Sequence, residues 1–186
     1  MKSRFTALLL QTERPGIEQL ITHLEGTDFF TAPASTRHHG AHAGGLLEHS
    51  LAVYEHLLRQ SAAYPEKLAN NYKRESLILT ALLHDICKAD YYVVEMRNAK
   101  NEQEKWVKVP FYTVNEQLPY GHGQKSVIIA LQFIHLTPDE IAAILWHMGG
   151  FDDQAKTHSF GKAYSMYPLC LALHVADMAA TYYDGI

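Results

Sequence analysis

The sequence predicts an all-α domain that carries one small β-hairpin. Apolar residues recur at helical spacing in several segments, whereas residues 91–114 are rich in β-branched and aromatic residues. The motif Thr137-Pro138-Asp139-Glu140 adds a marked helix start in the second half of the chain. The chain has 186 residues, 47% of them hydrophobic, with no internal repeat or long linker, so residues 1–186 are expected to form a single domain.

Two long helices are predicted in the first half of the chain. The first spans about residues 45–60, where apolar side chains recur about one helical turn apart at Leu46, Leu47, Leu51, Tyr54, Leu57 and Leu58. The second spans about residues 75–86. Its segment "SLILTALLHDI" is apolar nearly all round, which predicts burial on more than one side.

The middle and the end of the chain combine a hairpin with further helices. The polar stretch "AKNEQE" separates "YYVVEMRN" from "KWVKVPFYTV", which predicts two paired strands, with Pro110 confining the second to an edge. Helical spacing resumes at "GQKSVIIALQFI". The next helix is predicted to begin near Pro138 and to stop at Gly149-Gly150, which places His147 in its last turn. A final helix is predicted through "YPLCLALHVADMAATYYD".

Charge and composition restrict the possible functions. A formal net charge of -4 and a pI near 6.3 argue against a large basic nucleic-acid surface, although they permit a local phosphate site. Cys87 and Cys170 lie in apolar segments without paired spacing, which predicts reduced core residues and a reducing compartment. No segment has the length and hydrophobicity of a signal peptide or a membrane span, so a cytoplasmic protein without membrane contact is expected.

Two carboxylates lie in segments that are too apolar to be exposed. Asp85 directly follows His84 inside a predicted buried helix, and Asp177 lies among apolar residues of the last helix. A buried carboxylate is costly unless it is paired or binds a metal, so these two residues favour a shared cation. His49, beside the apolar stripe of the first long helix, can face the same core. Two imidazoles and two carboxylates form a donor set that suits a divalent ion such as Mn, Fe, Zn or Mg.

This order of residues resembles the HD-domain superfamily of metal-dependent phosphohydrolases. The resemblance covers about residues 33–184, and its three motif regions are similar to "GGLLEHS", "LLHDICK" and "ALHVADMAATY". It implies an HD-domain helical bundle, in which the hairpin is an insertion. It also implies that the side chains of His49, His84, Asp85 and Asp177 are metal ligands.

Two further histidines extend the resemblance to members with two metal ions. His122 in "LPYGHGQKS" and His147 in "ILWHMGG" fall between the His-Asp pair and the last aspartate, and Asp85 would then bridge two ions. The pattern resembles the HD domain of bacterial three-prime exoribonucleases and of small phage and bacterial HD hydrolases that share a "PASTRHHG...GGLLEHS" opening. One or two divalent ions per chain are therefore expected, and Mn, Fe, Zn, Mg and Ni are not distinguished.

Other residues of these motifs receive secondary roles. The resemblance places His39 near the site, whereas His38 and His42 are expected to face solvent. His174 lies one helical turn before Asp177 and is expected to be a hydrogen-bonded core histidine. The chain departs from the family pattern at Cys87, where many relatives have glycine.

The resulting hypothesis is hydrolysis of a phosphate ester by a metal-activated water. The substrate is expected to be a nucleotide or the end of a short single-stranded nucleic acid. Asp85, Lys88 and His39 are the proposed catalytic residues, and the Lys88 ammonium would reach a substrate phosphate because Lys88 shares a helix face with His84. The same donor set also resembles that of HD-fold di-iron oxygenases, and a non-catalytic nucleotide-binding domain is a third reading.

Aromatic residues of the hairpin segment allow two interpretations. They can stack on a nucleobase near the site or simply pack the hairpin, and packing is favoured for Tyr91, Tyr92, Trp106, Phe111 and Tyr112. The sequence makes no prediction of the oligomeric state.

Overall fold

The structure, a computed structural model, describes residues 1–37, 40–152 and 159–186. Within them the chain forms eight α-helices: α1 (Lys2–Leu10), α2 (Ile17–Glu25), α3 (Gly45–Ala63), α4 (Arg74–Leu83), α5 (His122–Leu131), α6 (Pro138–Leu145), α7 (Ser159–Met166) and α8 (Pro168–Ala179). Two antiparallel strands, β1 (Tyr92–Lys100) and β2 (Trp106–Val114), form the hairpin. The helical architecture with one small hairpin is confirmed. Helices α1, α2 and α7 were not predicted from the sequence.

Helix α3 lies at the centre of the helical core. It packs against α1, α4 and α8, and its inward face consists of the apolar side chains that set its helical spacing, among them Leu46, Val53 and Leu57. The helix continues to Ala63, three residues beyond the predicted end. At its start the backbone is tightly packed, because a Cβ atom on Gly45 would lie 2.0 Å from the backbone oxygen of Gly40. The segment that carries His49 therefore begins at a close backbone contact that only glycine permits.

Helix α4 ends earlier than the sequence predicts. Its apolar residues Leu77 to Leu83 are all buried, but the α-helix stops at Leu83, and Asp85 has left the helical conformation with φ −117° and ψ 19°. Ile86–Lys88 then forms a 3-10 turn, in which the Lys88 amide donates to the backbone oxygen of Asp85 at 3.0 Å. The prediction that His84 and Asp85 lie inside the helix is wrong. Aspartate is a poor helix former, and here its side chain bonds locally to Lys88 instead.

Helices α5 and α6 approach each other closely. A Cβ atom on Gly123 would lie 2.2 Å from the backbone oxygen of Leu145, so glycine is required where the start of α5 meets the end of α6. Helix α6 ends at Leu145, and His147 therefore lies beyond the helix rather than in its last turn, which corrects the prediction. A side chain of helix α8 stabilises the turn around His147, because His174 Nδ1 donates a hydrogen bond to the His147 backbone oxygen at 2.6 Å.

The predicted capping motif begins helix α6 as expected. Thr137 Oγ1 accepts a hydrogen bond from the Glu140 amide at 3.3 Å, and the Thr137 amide donates to Glu140 Oε2 at 2.8 Å. Pro138 occupies the first helical position, where no amide donor is needed. Two backbone amides at this helix start, which have no partner within the helix, therefore donate hydrogen bonds to side-chain oxygens.

Replacing Thr137 with alanine is expected to lower the free energy of unfolding by about 1 kcal/mol, because one of these amides loses its acceptor. Urea denaturation of the wild type and the variant measures the change. Thr22→Ala is a matched control, since the Thr22 hydroxyl bonds only to a carbonyl of its own helix, and its effect is expected to stay within about 0.5 kcal/mol. Equal losses in the two variants would contradict a specific role for the capping motif.

The remaining predictions concern the hairpin, the last helix and the cysteines. Strands β1 and β2 pair from Tyr92 with Val114 to Lys100 with Trp106, which confirms the hairpin and its separating polar turn. Helix α8 gives way at Ala180–Asp184 to a π-helical turn. Both cysteines are buried and free of disulfide bonds, as expected.

None of the helices in the described ranges has the length and apolar character needed to cross a membrane.

Candidate metal centre

Three histidines from different parts of the chain meet in the core. His49 lies on the first full turns of α3, His84 follows α4, and His147 follows α6, and the exposed fraction of each is 0%. Their rings are neighbours: the centroids of His49 and His84 lie 5.3 Å apart, and those of His84 and His147 lie 4.9 Å apart. Helix packing therefore places three imidazoles in one water-excluded site.

Two carboxylates complete this group. Asp85 Oδ2 lies 3.4 Å from His84 Nε2 and 3.9 Å from His49 Nε2, while Asp85 Oδ1 lies 3.6 Å from His147 Nε2. Asp177, near the end of α8, places Oδ1 at 3.1 Å from His49 Nε2. The donor atoms of His49, His84 and Asp85, and those of His84, His147 and Asp177, lie within 4.8 Å of one another. We call these five residues the His-Asp cluster.

His122 lies close to Asp85 and Cys87. Its Nδ1 lies 3.5 Å from Cys87 Sγ, and one donor atom from each of Asp85, Cys87 and His122 falls within 4.8 Å of the others. Burial raises the pKa of the Cys87 thiol to about 12, so the thiol stays protonated, whereas metals bind the thiolate. Cys87 is therefore a neighbour of the site that the sequence patterns did not place there; its signal was its position two residues after Asp85, where many members of the family that the sequence resembles have glycine.

Backbone carbonyls fix the orientation of the three cluster histidines. Nδ1 of His49 donates to the Ile186 oxygen at 2.9 Å, Nδ1 of His84 to the Ala81 oxygen at 2.8 Å, and Nδ1 of His147 to the Ile144 oxygen at 2.7 Å. A carbonyl oxygen only accepts, so each Nδ1 carries a proton. Each Nε2 consequently faces the cluster. This is how protein metal sites orient histidine ligands.

Nitrogen-15 spectra of the protein are expected to show protons on Nδ1 of His49, His84 and His147, protected from exchange with water because the three histidines are buried. The exposed ring of His135 is the internal control and is expected to exchange rapidly. A proton found only on Nε2 of any of the three cluster rings would contradict the orientation described.

The charges of the cluster are strongly coupled. Burial alone would raise the pKa of Asp85, but the Lys88 ammonium and the neighbouring His84 outweigh it and hold this pKa well below its ordinary value. Lys88 Nζ lies 2.7 Å from Asp85 Oδ2. Burial also opposes ionisation of Asp177, yet its contact with His49 keeps the pKa low. Both carboxylates are therefore negatively charged at neutral pH.

Two cluster atoms are left without a hydrogen bond in the described part of the chain. Asp85 Oδ1 and His147 Nε2 are both buried and unsatisfied, and the 3.6 Å between them is too long for a hydrogen bond. An unsatisfied buried polar group costs roughly 1–3 kcal/mol. A cation between a carboxylate oxygen and an imidazole nitrogen would satisfy both atoms, so the cluster fits a divalent metal ion.

Comparison with protein families identifies the fold family. The model of the HD domain matches residues 46–179, about three quarters of the chain. The chain belongs to the HD domain family. This HD domain contains every predicted metal ligand, namely His49, His84, Asp85, His122, His147 and Asp177, and the resemblance in the sequence is thereby confirmed.

One curated relative of the HD domain carries a name that describes an activity. Over 62 residues the chain is 37% identical to a dihydroneopterin 2',3'-cyclic phosphate phosphodiesterase from Methanocaldococcus jannaschii. This match covers 33% of the chain and spans only 25% of that relative's length. No solved structure matches the chain significantly.

The other predicted site residues of the HD domain have distinct surroundings. Lys88 is buried beside Asp85, and a pocket of about 180 Å³ reaches both residues together with Asp177. His174 bonds to the backbone of His147 and stacks on Tyr164, as expected for a structural histidine, although it also borders this pocket. His42 is exposed, as expected, and lies 3.4 Å from Glu48. His38 and His39 lie outside the described residues.

Proposed function

We propose that this HD domain is a metal-dependent phosphohydrolase that acts on a nucleotide or oligonucleotide phosphate ester. The main evidence is a pair of buried atoms that lack hydrogen-bond partners, Asp85 Oδ1 and His147 Nε2. Both lie inside a cluster of imidazoles and carboxylates. Membership of the HD domain family and the phosphodiesterase name of a partial relative support the same activity.

The proposed ligands surround Asp85. Asp85 Oδ2 lies near His84 and His49, and Asp85 Oδ1 lies near His147. Asp177 contacts His49, and His122 has a donor atom within 4.8 Å of one on Asp85. This arrangement suits one or two ions, with the Asp85 carboxylate as the shared ligand. When bound, divalent ions supply a water of lowered pKa and offset negative charge on phosphoryl oxygens.

Lys88 is the residue that we assign to the substrate phosphate. Burial alone would lower the pKa of Lys88, but the Asp85 carboxylate raises it above its ordinary value, so the side chain stays an ammonium. It borders the same small pocket as Asp177. A buried ammonium at a pocket wall binds a phosphate oxygen through charge-assisted hydrogen bonds. His39 remains a predicted partner of the phosphate.

The shape of the small pocket restricts what it can hold. At about 180 Å³ it is smaller than the roughly 300–1,000 Å³ typical of pockets for whole organic ligands. Only a compact group such as a phosphate fits beside Asp85, Lys88 and Asp177. The remainder of the substrate would then extend out of this pocket, whose wall includes Met148 and Phe151.

The test is to load the protein with Mn and offer phosphodiesters, phosphomonoesters, 2',3'-cyclic nucleotides and short RNA. Cyclic nucleotides are included because the relative from Methanocaldococcus jannaschii is named as a phosphodiesterase of a 2',3'-cyclic phosphate. Turnover of at least one class, lost in an Asp85→Asn variant, is the expected result. Absence of turnover above that variant, for all substrates and for several divalent metals, would contradict the proposal.

Aerobic purification without added metal, followed by metal analysis, tests the oxygenase alternative, and nucleotide binding compared with turnover tests the non-catalytic one. A di-iron oxygenase would retain iron and consume oxygen with its substrate, and would show no phosphatase activity. A non-catalytic domain would bind nucleotide tightly without hydrolysis under any metal. The Lys88 ammonium favours the two phosphate-binding functions over the oxygenase, because a phosphate needs a cationic partner.

A further inference from the structure

A second, larger cavity adjoins the candidate metal centre. It has a volume of about 550 Å³, within the roughly 300–1,000 Å³ range of pockets that hold organic ligands. Its walls include Tyr91, Glu116, Tyr120, His122, Lys125 and Phe151. We call this space the side cavity.

The side cavity adjoins the small pocket over the His-Asp cluster. Met148 and Phe151 line both spaces, and His122 contributes to the wall of the side cavity while lying close to Asp85. A ligand whose phosphate lies beside Asp85 and Lys88 would pass these two shared side chains to place a further group in the side cavity.

The charges in the side cavity disfavour a second phosphate. Lys125 is only 3% exposed, and its ammonium is bonded to Glu116 Oε2 at 2.7 Å and lies 4.5 Å from the centroid of the Tyr91 ring. Its positive charge is therefore already balanced. Asp152 adds a further carboxylate to the wall. Among the described residues of the wall, one lysine stands against two acidic residues, so these residues supply no excess positive charge to attract an anion.

The same walls suit a flat, neutral ring that carries N–H donors. Tyr91, Tyr120 and Phe151 provide aromatic surface, on which heteroaromatic rings stack. Glu116 accepts from the Leu118 amide at 2.9 Å and from Lys125 at 2.7 Å, and the Tyr91 hydroxyl also lies within hydrogen-bonding reach of this carboxylate. A carboxylate has about four acceptor positions, so Glu116 can accept a further bond from a ligand.

We propose that the side cavity binds the amino-bearing heteroaromatic ring of the substrate, a ring of the adenine or cytosine type, while the phosphate lies at Asp85 and Lys88. The inference rests on the proposed function for the position of the phosphate. Rings that carry hydrogen in place of the amino group offer the Glu116 carboxylate no N–H donor, so they are expected to bind less well.

The experiment measures binding of unphosphorylated nucleosides to the full chain by calorimetry, without metal. Adenosine and purine ribonucleoside form one matched pair, and cytidine and pyrimidin-2-one ribonucleoside form the other, because the members of each pair differ only in an amino group replaced by hydrogen. The amino-bearing member is expected to bind about tenfold more tightly in at least one pair, since a site with a fixed acceptor discriminates against a ligand without the donor.

Two variants locate this binding in the side cavity. Tyr120→Ala and Phe151→Ala remove exposed aromatic rings, so they are not expected to affect folding, and each is expected to weaken nucleoside binding at least about fivefold by loss of stacking. Tyr64→Ala is the matched control, because Tyr64 is similarly exposed, 63% against 54% for Tyr120, but does not line the side cavity. The control is expected to bind as the wild type does.

Three results would overturn the inference: no nucleoside binding, equal affinity within both matched pairs, or unchanged binding in both cavity variants. Because this assay contains neither metal nor a reactive ester, its outcome is independent of hydrolysis. Selective nucleoside binding by a protein that hydrolyses no phosphate ester would leave the side cavity supported and the proposed function refuted.

Discussion

Replacing Asp85 with asparagine is expected to lower the turnover of the best phosphate-ester substrate by more than about 100-fold. Loss of groups that only orient metal ligands already costs 10- to 100-fold in metal affinity or activity, and a ligand shared by two ions is expected to matter more. Asparagine preserves the shape of the side chain but removes the charge that lies among His49, His84 and His147. Steady-state kinetics and metal content, measured on the same preparations, test the expectation.

The control for this variant is Glu104→Gln, which removes one negative charge at the exposed hairpin turn. Its turnover and metal content are expected to match those of the wild type. Because Asp85→Asn also leaves the buried Lys88 without its ionic partner, circular dichroism must show that the variant is folded. A folded Asp85→Asn protein with turnover within a few-fold of the wild type would contradict the proposed role of Asp85.

Replacing Arg14 with methionine is expected to lower the free energy of unfolding by roughly 3–5 kcal/mol, because it leaves Glu140 buried without a cation. The guanidinium holds both oxygens of Glu140, with Nη1 at 3.0 Å from Oε2 and Nη2 at 2.9 Å from Oε1. Glu140 has an exposed fraction of 0% and also accepts from Ser76. The pair therefore joins the segment after α1 to the capped start of α6.

The effect of Arg14→Met is expected to depend on pH. Burial alone would raise the pKa of Glu140, but Arg14 and the Thr137 amide outweigh it and lower this pKa. The stabilisation is then fully present above the ordinary glutamate pKa of about 4.3 and disappears as the pH falls through the lower pKa of the folded protein. The difference between wild type and variant in urea denaturation should therefore be largest at neutral pH and shrink below about pH 4.

The control is Arg4→Met, which breaks an ion pair between Arg4 and Glu55 at the surface. Exposed pairs contribute about 0–1 kcal/mol, so only a small loss is expected. If Arg14→Met costs no more than this control at neutral pH, the ion pair of Arg14 with Glu140 does not hold α6 in place.

Sequence patterns predicted the parts of the fold that depend on local physics. Helix α3 follows from its apolar spacing, the start of α6 from the Thr137 capping motif, and the hairpin from two β-rich segments around a polar turn. The family resemblance brought together ligands that are more than a hundred residues apart. The structure places His49, His84, Asp85, His147 and Asp177 in one cluster, with His122 beside it.

Other features depend on tertiary contacts that no local pattern reveals. Helix α4 ends before His84, because Asp85 pairs with Lys88 and the cluster instead of continuing the helix. His147 falls beyond α6 because its turn is held by His174. The side cavity arises only when the segment around Tyr120 packs beside the turn after α6, so its walls come from separated parts of the chain.

The most direct measurement is anomalous scattering from Mn-soaked crystals of the full chain. The account predicts one or two Mn peaks within about 2.5 Å of donor atoms from His49, His84, Asp85 and Asp177, with His147 or His122 completing the coordination. The same experiment on Asp85→Asn should show these peaks weakened or lost. Mn bound only elsewhere, or absent from the His-Asp cluster at saturating concentration, would contradict the central claim that these helices converge to hold a metal.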